Sequence, residues 1–251
     1  MKKTHLLFYF SFLLILLACS KDETESDSEP TKPDVTDTFK YIAVSGTGFA
    51  QLYEIGNNTG NITKSGNISG LEYNIVPNAI TVSKKHYYFY QPLFDPVVMN
   101  KIFVYDKATK QTKAIELNLS DTFGEFAILS SLDWDESNQR LVGIVCNDYL
   151  ARNKTNSLVT IDIDIIEIIA PGIEFVQDNI NSTFLKEGIL YVSSFSNASV
   201  NDFNKIDIAA KTVEKIVFED KTFIFTGLSG NDTDNTLFAF RPLYLPGYTC
   251  S

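Results

Sequence analysis

Short apolar runs alternate with polar turns along most of the chain, and one such pattern repeats at a nearly constant interval. In residues 105–115 (YDKATKQTKAI) and 206–216 (IDIAAKTVEKI), an acid follows an apolar run, and alanine, lysine and isoleucine follow at the same offsets. Two further copies are LVTIDIDIIEII and QLYEIGNNTGNI, and the steps between the acids are 52, 56 and 45 residues. The matching acids are Glu54, Asp106, Asp162 and Asp207.

A second apolar element recurs upstream of each acid with the same period. Its copies are FKYIAVSG, KHYYFYQ, QRLVGIV, GILYVSS and, near the end, NTLFAF. The positions that we take as equivalent are Tyr41, Tyr87, Leu141, Leu190 and Leu237. Because two separate elements share one period of about 40–50 residues, we interpret the region from residue 39 to residue 251 as an internal repeat.

Each repeat contains several short strand-like runs separated by Asn, Asp, Gly and Lys, as antiparallel hairpins require. Four strands in about 40–50 residues are typical of one β-propeller blade. The segment SLDWDESNQRLVGIV resembles the inner hairpin of bacterial propellers of the YncE-like and TolB-like kind. We therefore predict an all-β fold, a β-propeller of four-stranded antiparallel blades with about four to five blades, incomplete at its ends. The alternative fold is a pair of β-sandwiches.

The two ends of the repeat fit this prediction least well. The first blade begins near Phe39 and lacks an inner strand, for which residues 222–230 (TFIFTGLSG) are a candidate. After Leu237 the next acid would fall beyond Ser251, so the last blade lacks its outer strands. Either the blades close irregularly, or the chain is a shortened version of a protein with about six to eight blades.

The N-terminus has the pattern of an export signal. Residues 1–3 (MKK) are basic, and residues 6–18 form an apolar block that is shorter than the roughly 20 residues of a membrane-spanning helix. The block ends in Leu-Leu-Ala-Cys, which resembles the bacterial lipoprotein box. This resemblance implies that residues 1–18 are a signal peptide and that Cys19 carries acyl chains such as palmitate.

The segment behind Cys19 (SKDETESD) resembles the surface-export signal of Bacteroidota lipoproteins, which implies attachment to the outer membrane, facing the cell exterior. Residues 20–38 hold seven acids, two lysines and two prolines. Such a composition cannot bury enough apolar surface to fold. We predict that residues 19–38 form a lipidated, disordered tether and that residues 39–251 form the propeller.

Candidate catalytic chemistry is sparse. His86 is the single histidine after the signal peptide, and no motif gives it a nucleophile, so we expect a packed or exposed strand histidine. Asp133 (in DWDESN) and Asp232 (in NDTDNT) mimic the start of a calcium loop but lack its later conserved positions, and we expect them to serve turn geometry instead. Cys146 and Cys250 could form a disulfide, or Cys146 could be a buried free thiol. No catalytic, metal or cofactor residue is predicted.

The formal charge of −10 argues against nucleic acid as a partner. We expect a binding or scaffold module for a glycan, peptide or protein partner, held at the membrane through its lipid. The alternatives are a polysaccharide hydrolase or lyase with acids at the propeller channel, and a truncated remnant of a longer propeller protein. Enzymatic activity stays open, with binding favoured.

Overall fold

The computed structural model describes residues 35–38, 40–45, 49–72, 79–94, 98–151, 154–164, 167–169, 172–176, 180–195, 201–218, 227–230 and 236–240. The predicted signal peptide, Cys19 and most of the predicted tether lie outside this part of the chain. The chain divides into two compact units, residues 1–41 with 56–61, and residues 42–55 with 62–251. Within the described segments, no helix has the length and apolar character needed to cross a membrane.

Nearly every described element is a β-strand, and the strands form five sheets. Sheet A consists of β1 (Lys40–Ser45), β2 (Phe49–Gly56) and β3 (Ile62–Glu72). Sheet B consists of β4 (Ile80–Val82), β5 (His86–Phe94), β6 (Val98–Asp106) and β7 (Thr112–Leu117). Sheet C consists of β8 (Ile128–Asp135), β9 (Arg140–Cys146), β10 (Thr155–Asp162), β11 (Glu167–Ile169) and β12 (Glu174–Val176). Sheet D consists of β13 (Ile180–Lys186), β14 (Ile189–Phe195), β15 (Asn201–Asp207) and β16 (Thr212–Ile216). Sheet E consists of β17 (Gly227–Gly230) and β18 (Leu237–Phe240), and the one-turn helix α1 (Ser120–Phe123) precedes β8.

In sheets B to E the paired strands are antiparallel. Strands that follow one another in the chain are neighbours in their sheet, except that β12 pairs with β10 and not with β11. Sheets B and D have four strands, as predicted for propeller blades. Sheet C has the same four positions, but its outermost strand is interrupted: β11 and β12 pair with opposite ends of β10. The prediction of four-stranded antiparallel blades is confirmed.

The core lies between successive sheets, within the second unit. Neighbouring residues on a strand point to opposite faces, so Tyr87 and Phe89 on β5 pack with side chains of sheet A. Tyr88 and Tyr90 pack with side chains of sheet C. The other face of sheet C packs against sheet D through a third cluster that includes Val142. The sandwich alternative is wrong, because a sandwich buries one face of each sheet, whereas sheets B and C are buried on both.

The first strands of successive sheets lie side by side, as the inner strands of propeller blades do. Strand β4 lies beside β8. On β13, the Thr183 hydroxyl donates to Asp133 of β8 (2.6 Å), and Ser182 Oγ accepts from the Leu228 N–H of β17 (2.9 Å). Strand β17 pairs with β18, so residues 227–230 are the inner strand of the last sheet and not of the first. Within the described ranges, sheet A consists of three strands.

The strand registers confirm the apolar repeat in sheets B and D. His86 lies opposite Asp106 and Ile189 lies opposite Asp207, which makes the residues that follow them, Tyr87 and Leu190, equivalent. The repeated acids Asp106 and Asp207 begin six-residue turns and accept backbone N–H groups of those turns.

The lysine of the repeat has a conformational role in these turns. Lys110 and Lys211, the fifth residues of their turns, have φ angles of 62° and 56°, in the left-handed region. In sheet A, Gly60 takes this place with φ 69°, and Gly56, not Glu54, begins the turn. We matched Glu54 with the acids Asp106 and Asp207, and this match was wrong. The residue equivalent to those acids is Gly56, which has no carboxylate that a sequence comparison could detect.

A buried polar network ties sheet B to sheet C. The Tyr90 hydroxyl donates to Asn100 Oδ1 and accepts from the Leu129 N–H (3.0 Å). The Asn100 side-chain amide donates to the Ala127 carbonyl (3.2 Å). Tyr90 is fully buried, and burial raises the pKa of its hydroxyl.

Replacement of Tyr90 by Phe should lower the free energy of unfolding by about 1–3 kcal/mol, because the buried Leu129 N–H and Asn100 amide lose their shared partner. Urea denaturation measures the change. Tyr105→Phe is the matched control, since the Tyr105 hydroxyl makes only a long contact to the Ser65 carbonyl (3.4 Å). Equal losses in the two variants would contradict a special role for the network.

Candidate functional site

A cleft of about 220 Å³ opens where the turns of sheets B and C meet. Sheet B contributes the turn at 83–86 and Tyr88 of β5. Sheet C contributes Trp134 at the end of β8, and Glu136 and Gln139 in the turn that follows. The period of the repeat produces this meeting point, because it places the β4–β5 turn and the β8–β9 turn at equivalent positions of neighbouring blades.

Two aromatic rings form the floor of the cleft. Tyr88 is fully buried, whereas Trp134 is half-buried. Their rings stack with centroids 5.4 Å apart and an interplanar angle of 14°. Burial raises the pKa of the Tyr88 hydroxyl, so this group stays protonated at neutral pH. The pair is a rigid apolar surface at the point where the core between the two sheets reaches solvent.

An ion pair crosses the mouth of the cleft from one sheet to the other. Lys84 Nζ lies 2.7 Å from Glu136 Oε1, and the Trp134 indole N–H donates to Glu136 Oε2 (2.7 Å). The hydrogen bond from Lys84 lowers the pKa of Glu136, and the same bond raises the pKa of Lys84. Glu136 is therefore held as a carboxylate, and it fixes the orientation of the indole.

His86 belongs to a chain of polar contacts beside the aromatic pair. Its Nδ1 lies 3.3 Å from the Tyr88 hydroxyl, and its Nε2 lies 3.4 Å from Asp106 Oδ2. Ser83 Oγ contacts the Tyr88 hydroxyl (3.4 Å) and accepts from the His86 backbone N–H (3.0 Å). Tyr88 thus stands between Ser83 and the imidazole, and this geometry is not that of a nucleophile beside its base. His86 is a partly exposed strand histidine, as predicted.

The charged groups of the cleft balance. Lys84 and Lys85 lie on its sheet B wall, and Glu136 and Asp164 lie on its sheet C wall. Together with the Gln139 amide they present both hydrogen-bond donors and acceptors around an aromatic floor. Such a site can hold a neutral ring with polar substituents.

The aspartates that mimic a calcium loop have separate partners. The turn role predicted for Asp133 is wrong, because Asp133 lies within β8 and accepts from Thr183 on the next sheet. The second acid of the same motif, Asp135, has that role: its Oδ1 accepts from the Asn138 N–H (3.2 Å). Among the residues that the structure describes, no three His, Cys, Asp or Glu side chains are grouped to hold a metal ion.

The cysteines and the second calcium-like motif are only partly described. Cys146 is a buried free thiol on β9, so of its two predicted states the unpaired one is observed. Cys250, Asp232 and Asp234 lie outside the described residues.

The sequence contained one signal for the cleft that we did not use. HYYFY at the start of β5 and DWDES at the end of β8 stand at the turn ends of neighbouring repeats. The repeat shows which residues of two sheets occupy equivalent positions. It does not show how neighbouring sheets are shifted relative to each other, so contact between Tyr88 and Trp134 could not be predicted.

Comparison with known proteins finds only distant similarity. No protein-family model matches the chain, and no curated protein is similar to it in sequence. Among solved structures, TolB from Acinetobacter baumannii has a TM-score of 0.48 and 13% identity, over 71% of this chain and 40% of TolB. An acylaminoacyl peptidase from Pyrococcus horikoshii has a TM-score of 0.43 and 14% identity, over 74% of this chain and 31% of the peptidase. The β-propeller domain of the Trilobed protease from Pyrococcus furiosus has a TM-score of 0.41 and 14% identity, over 82% of this chain and 69% of that domain.

Asp133 should make folding stability depend on pH. Burial raises the pKa of its carboxyl from 3.8 to about 6, although the Thr183 hydroxyl and the Leu185 N–H oppose the shift. Between these values the folded state binds more protons than the unfolded state, so the free energy of unfolding should fall as the pH rises and level off above about 6. Urea denaturation at pH 4–7 tests this, and Asp133→Asn should lose that fall.

Thr183→Val is the companion variant. It removes one group that lowers the pKa of Asp133, so the fall in stability should become larger and extend to higher pH. Parallel pH profiles for the wild type and Asp133→Asn would show that Asp133 is not the group responsible.

Proposed function

We propose that this chain is a lipid-anchored outer-membrane protein whose β-propeller binds a glycan in the cleft between sheets B and C. The observation that carries the proposal is the half-buried Trp134 ring, which stacks on the fully buried Tyr88 and is bordered by the Lys84–Glu136 ion pair. The lipoprotein-like box that ends at Cys19 and the acidic segment behind it support the anchor.

The cleft matches the chemistry of a sugar ring. A pyranose has an apolar face of C–H groups, which packs on a flat aromatic ring. Its hydroxyls need both donors and acceptors, which Lys84, Glu136, Gln139 and Asp164 supply. The balanced charge of the cleft favours a neutral ring over a phosphate or a strongly charged ligand.

The same contacts favour binding over hydrolysis. A glycosidase needs a carboxylic acid whose pKa is raised, so that it can protonate the leaving oxygen. The pKa of Glu136 is lowered, and both of its oxygens are engaged by Lys84 and Trp134. This carboxylate is suited to hold a hydroxyl in place, not to donate a proton.

Trp134 is the single tryptophan of the chain, so its fluorescence reports on the cleft alone. Screening of the membrane-extracted protein on a glycan array, followed by titration of the retained glycans, should give a saturable change in Trp134 emission. Trp134→Ala should weaken binding by about tenfold in calorimetry, because the stacking surface is lost. Trp134→Phe keeps a ring against Tyr88 and should retain part of the affinity.

Lys205→Ala is the matched control for Lys84→Ala, since Lys205 forms a comparable surface ion pair with Glu214 on sheet D (3.6 Å). Lys84→Ala should weaken glycan binding, and Lys205→Ala should not. Retention of a protein or peptide partner with no response to any glycan would contradict the proposal. Release of reducing sugar that stops in Glu136→Gln would show that the cleft is catalytic.

The anchor has its own test. Cys19→Ala should abolish incorporation of labelled palmitate and release the protein from the membrane fraction, because the acylated thiol is lost. Cys146→Ala is the matched control, since that thiol is buried in sheet C and should leave labelling unchanged. Digestion of intact cells by an added protease should remove the wild-type protein if it faces the exterior. Labelling that survives Cys19→Ala would refute the assignment.

A further inference from the structure

In the part of the chain that the structure describes, three six-residue turns are closed by a carboxylate at their own first residue. Asp106 Oδ1 accepts from the Thr109 N–H (2.7 Å), Asp135 Oδ1 accepts from the Asn138 N–H (3.2 Å), and Asp207 Oδ1 accepts from the Ala210 N–H (2.8 Å). In each turn the fifth residue is left-handed; these residues are Lys110, Gln139 and Lys211. The carboxylate satisfies turn N–H groups that would otherwise have only water as a partner.

The turn at 56–61 has the same backbone frame but no carboxylate of its own. The Gly56 N–H donates to the Asn61 carbonyl (3.0 Å), and the Gly60 N–H donates to the Gly56 carbonyl (3.0 Å). The turn at 106–111 has the same two bonds: the Asp106 N–H donates to the Gln111 carbonyl, and the Lys110 N–H donates to the Asp106 carbonyl (2.9 Å each). Gly56 therefore stands at the position that is aspartate in the three other turns.

Asp37 supplies the missing carboxylate. Its Oδ1 accepts from the Asn58 N–H (3.0 Å) and the Thr59 N–H (2.9 Å), as Asp106 Oδ1 does from Ala108 and Thr109. A Cβ atom added to Gly56 would collide with the carboxylate of Asp37 and with Thr59 Oγ1, the hydroxyl that donates to Asp37 Oδ2 (2.9 Å). The Asp37 carboxylate thus occupies the space that an aspartate side chain at position 56 would fill.

The residues on either side of Asp37 bind the same turn. The Thr38 N–H donates to Asn57 Oδ1 (3.0 Å), and the Asn57 amide donates back to Thr38 Oγ1 (3.2 Å). The Asn58 side-chain amide donates to the Thr36 carbonyl (2.8 Å). These contacts join three successive residues of the N-terminal segment to two successive asparagines.

The electrostatics of Asp37 also match those of a turn carboxylate. A backbone hydrogen bond from Thr59 lowers the pKa of Asp37, and the equivalent bond from Thr109 lowers the pKa of Asp106.

We propose that residues 36–38 act as a latch, a segment whose hydrogen bonds fasten the N-terminal part of the chain to the turn at 56–61. Because Gly56 has no side chain, it leaves the space that the Asp37 carboxylate occupies. The turn has no carboxylate of its own, and Asp37 takes over that role. On the membrane anchor of the proposed function, a force applied through that anchor would reach the latch before it reaches β1.

The proposal is tested by moving the carboxylate that binds the turn from position 37 to position 56. Asp37→Ala removes the carboxylate. Gly56→Asp returns it to the turn itself and excludes Asp37 from the same space, and the φ angle of Gly56 lies outside the left-handed region, so aspartate meets no backbone strain there. Gly56→Ala excludes Asp37 but supplies no carboxylate, and is therefore the matched control for Gly56→Asp.

Amide hydrogen exchange in the full mature protein reads the two sides of the latch separately. In Asp37→Ala and Gly56→Ala, the amides of Asn58, Thr59 and Thr38 should all exchange about tenfold faster, which is the effect of losing one hydrogen bond. In Gly56→Asp and in the double variant Asp37→Ala/Gly56→Asp, Asn58 and Thr59 should stay protected, and Thr38 alone should exchange faster. Asp106→Ala should expose Ala108 and Thr109 and leave Thr38 unchanged.

Two results would overturn the latch. If Thr38 keeps its protection in Gly56→Asp, the segment is held by other contacts. If Asn58 and Thr59 keep theirs in Asp37→Ala, the carboxylate is not their cap. Binding of a glycan is not measured in this experiment, so its outcome is independent of the proposed function.

Discussion

The burial of sheets B and C on both faces is the constraint on which the rest of the molecule depends. A strand buried on both faces favours apolar residues at successive positions, which is why β5 begins HYYFY and does not alternate with polar residues there. Successive side chains belong to different interfaces, so a slip of one residue would exchange Tyr88 and Phe89 between the two neighbouring sheets. Both the register of the strands and the length of the turns between them are therefore tightly fixed.

The cleft lies at the edge of the core between sheets B and C. Tyr88 is the last fully buried aromatic residue on its face of β5, and Trp134, stacked on it, is already half open. Beyond the two rings the sheets meet through a charged pair, Lys84 and Glu136, instead of apolar contacts. The cleft between sheets B and C therefore has an apolar floor and a polar rim, and its side chains are held by the two sheets behind them.

Much of the fold could be predicted from the sequence, because local patterns encode it. The period fixed the equivalence of Tyr87 and Leu190, and the acids at Asp106 and Asp207 marked real turns. The exceptions have different causes. Strand β17 pairs with the next strand in the chain, β18, and not with the first sheet for which we considered it. The turn at 56–61 takes its carboxylate from Asp37, which is distant in the chain and leaves no local signal in the turn sequence.

The candidate site shows the same division. His86 could be assigned to a strand from its neighbours in sequence, and Asp135 to a turn. The floor of the cleft could not be predicted, because it needs the offset between sheet B and sheet C, which the packing of whole side chains decides. A residue such as Glu136 looks like any surface acid until its contacts with Lys84 and Trp134 are seen.

The left-handed residues of the turns have a consequence for how the protein tolerates change. A left-handed conformation costs an ordinary residue about 1–2 kcal/mol, and glycine avoids that cost. Gly60 avoids it, whereas Lys110 and Lys211 do not. Both lysines are exposed and lie outside the cleft lining. Replacement of either lysine by glycine should therefore raise the free energy of unfolding, through a change at the surface. That gain could offset destabilising changes in the cleft when a new ligand is selected.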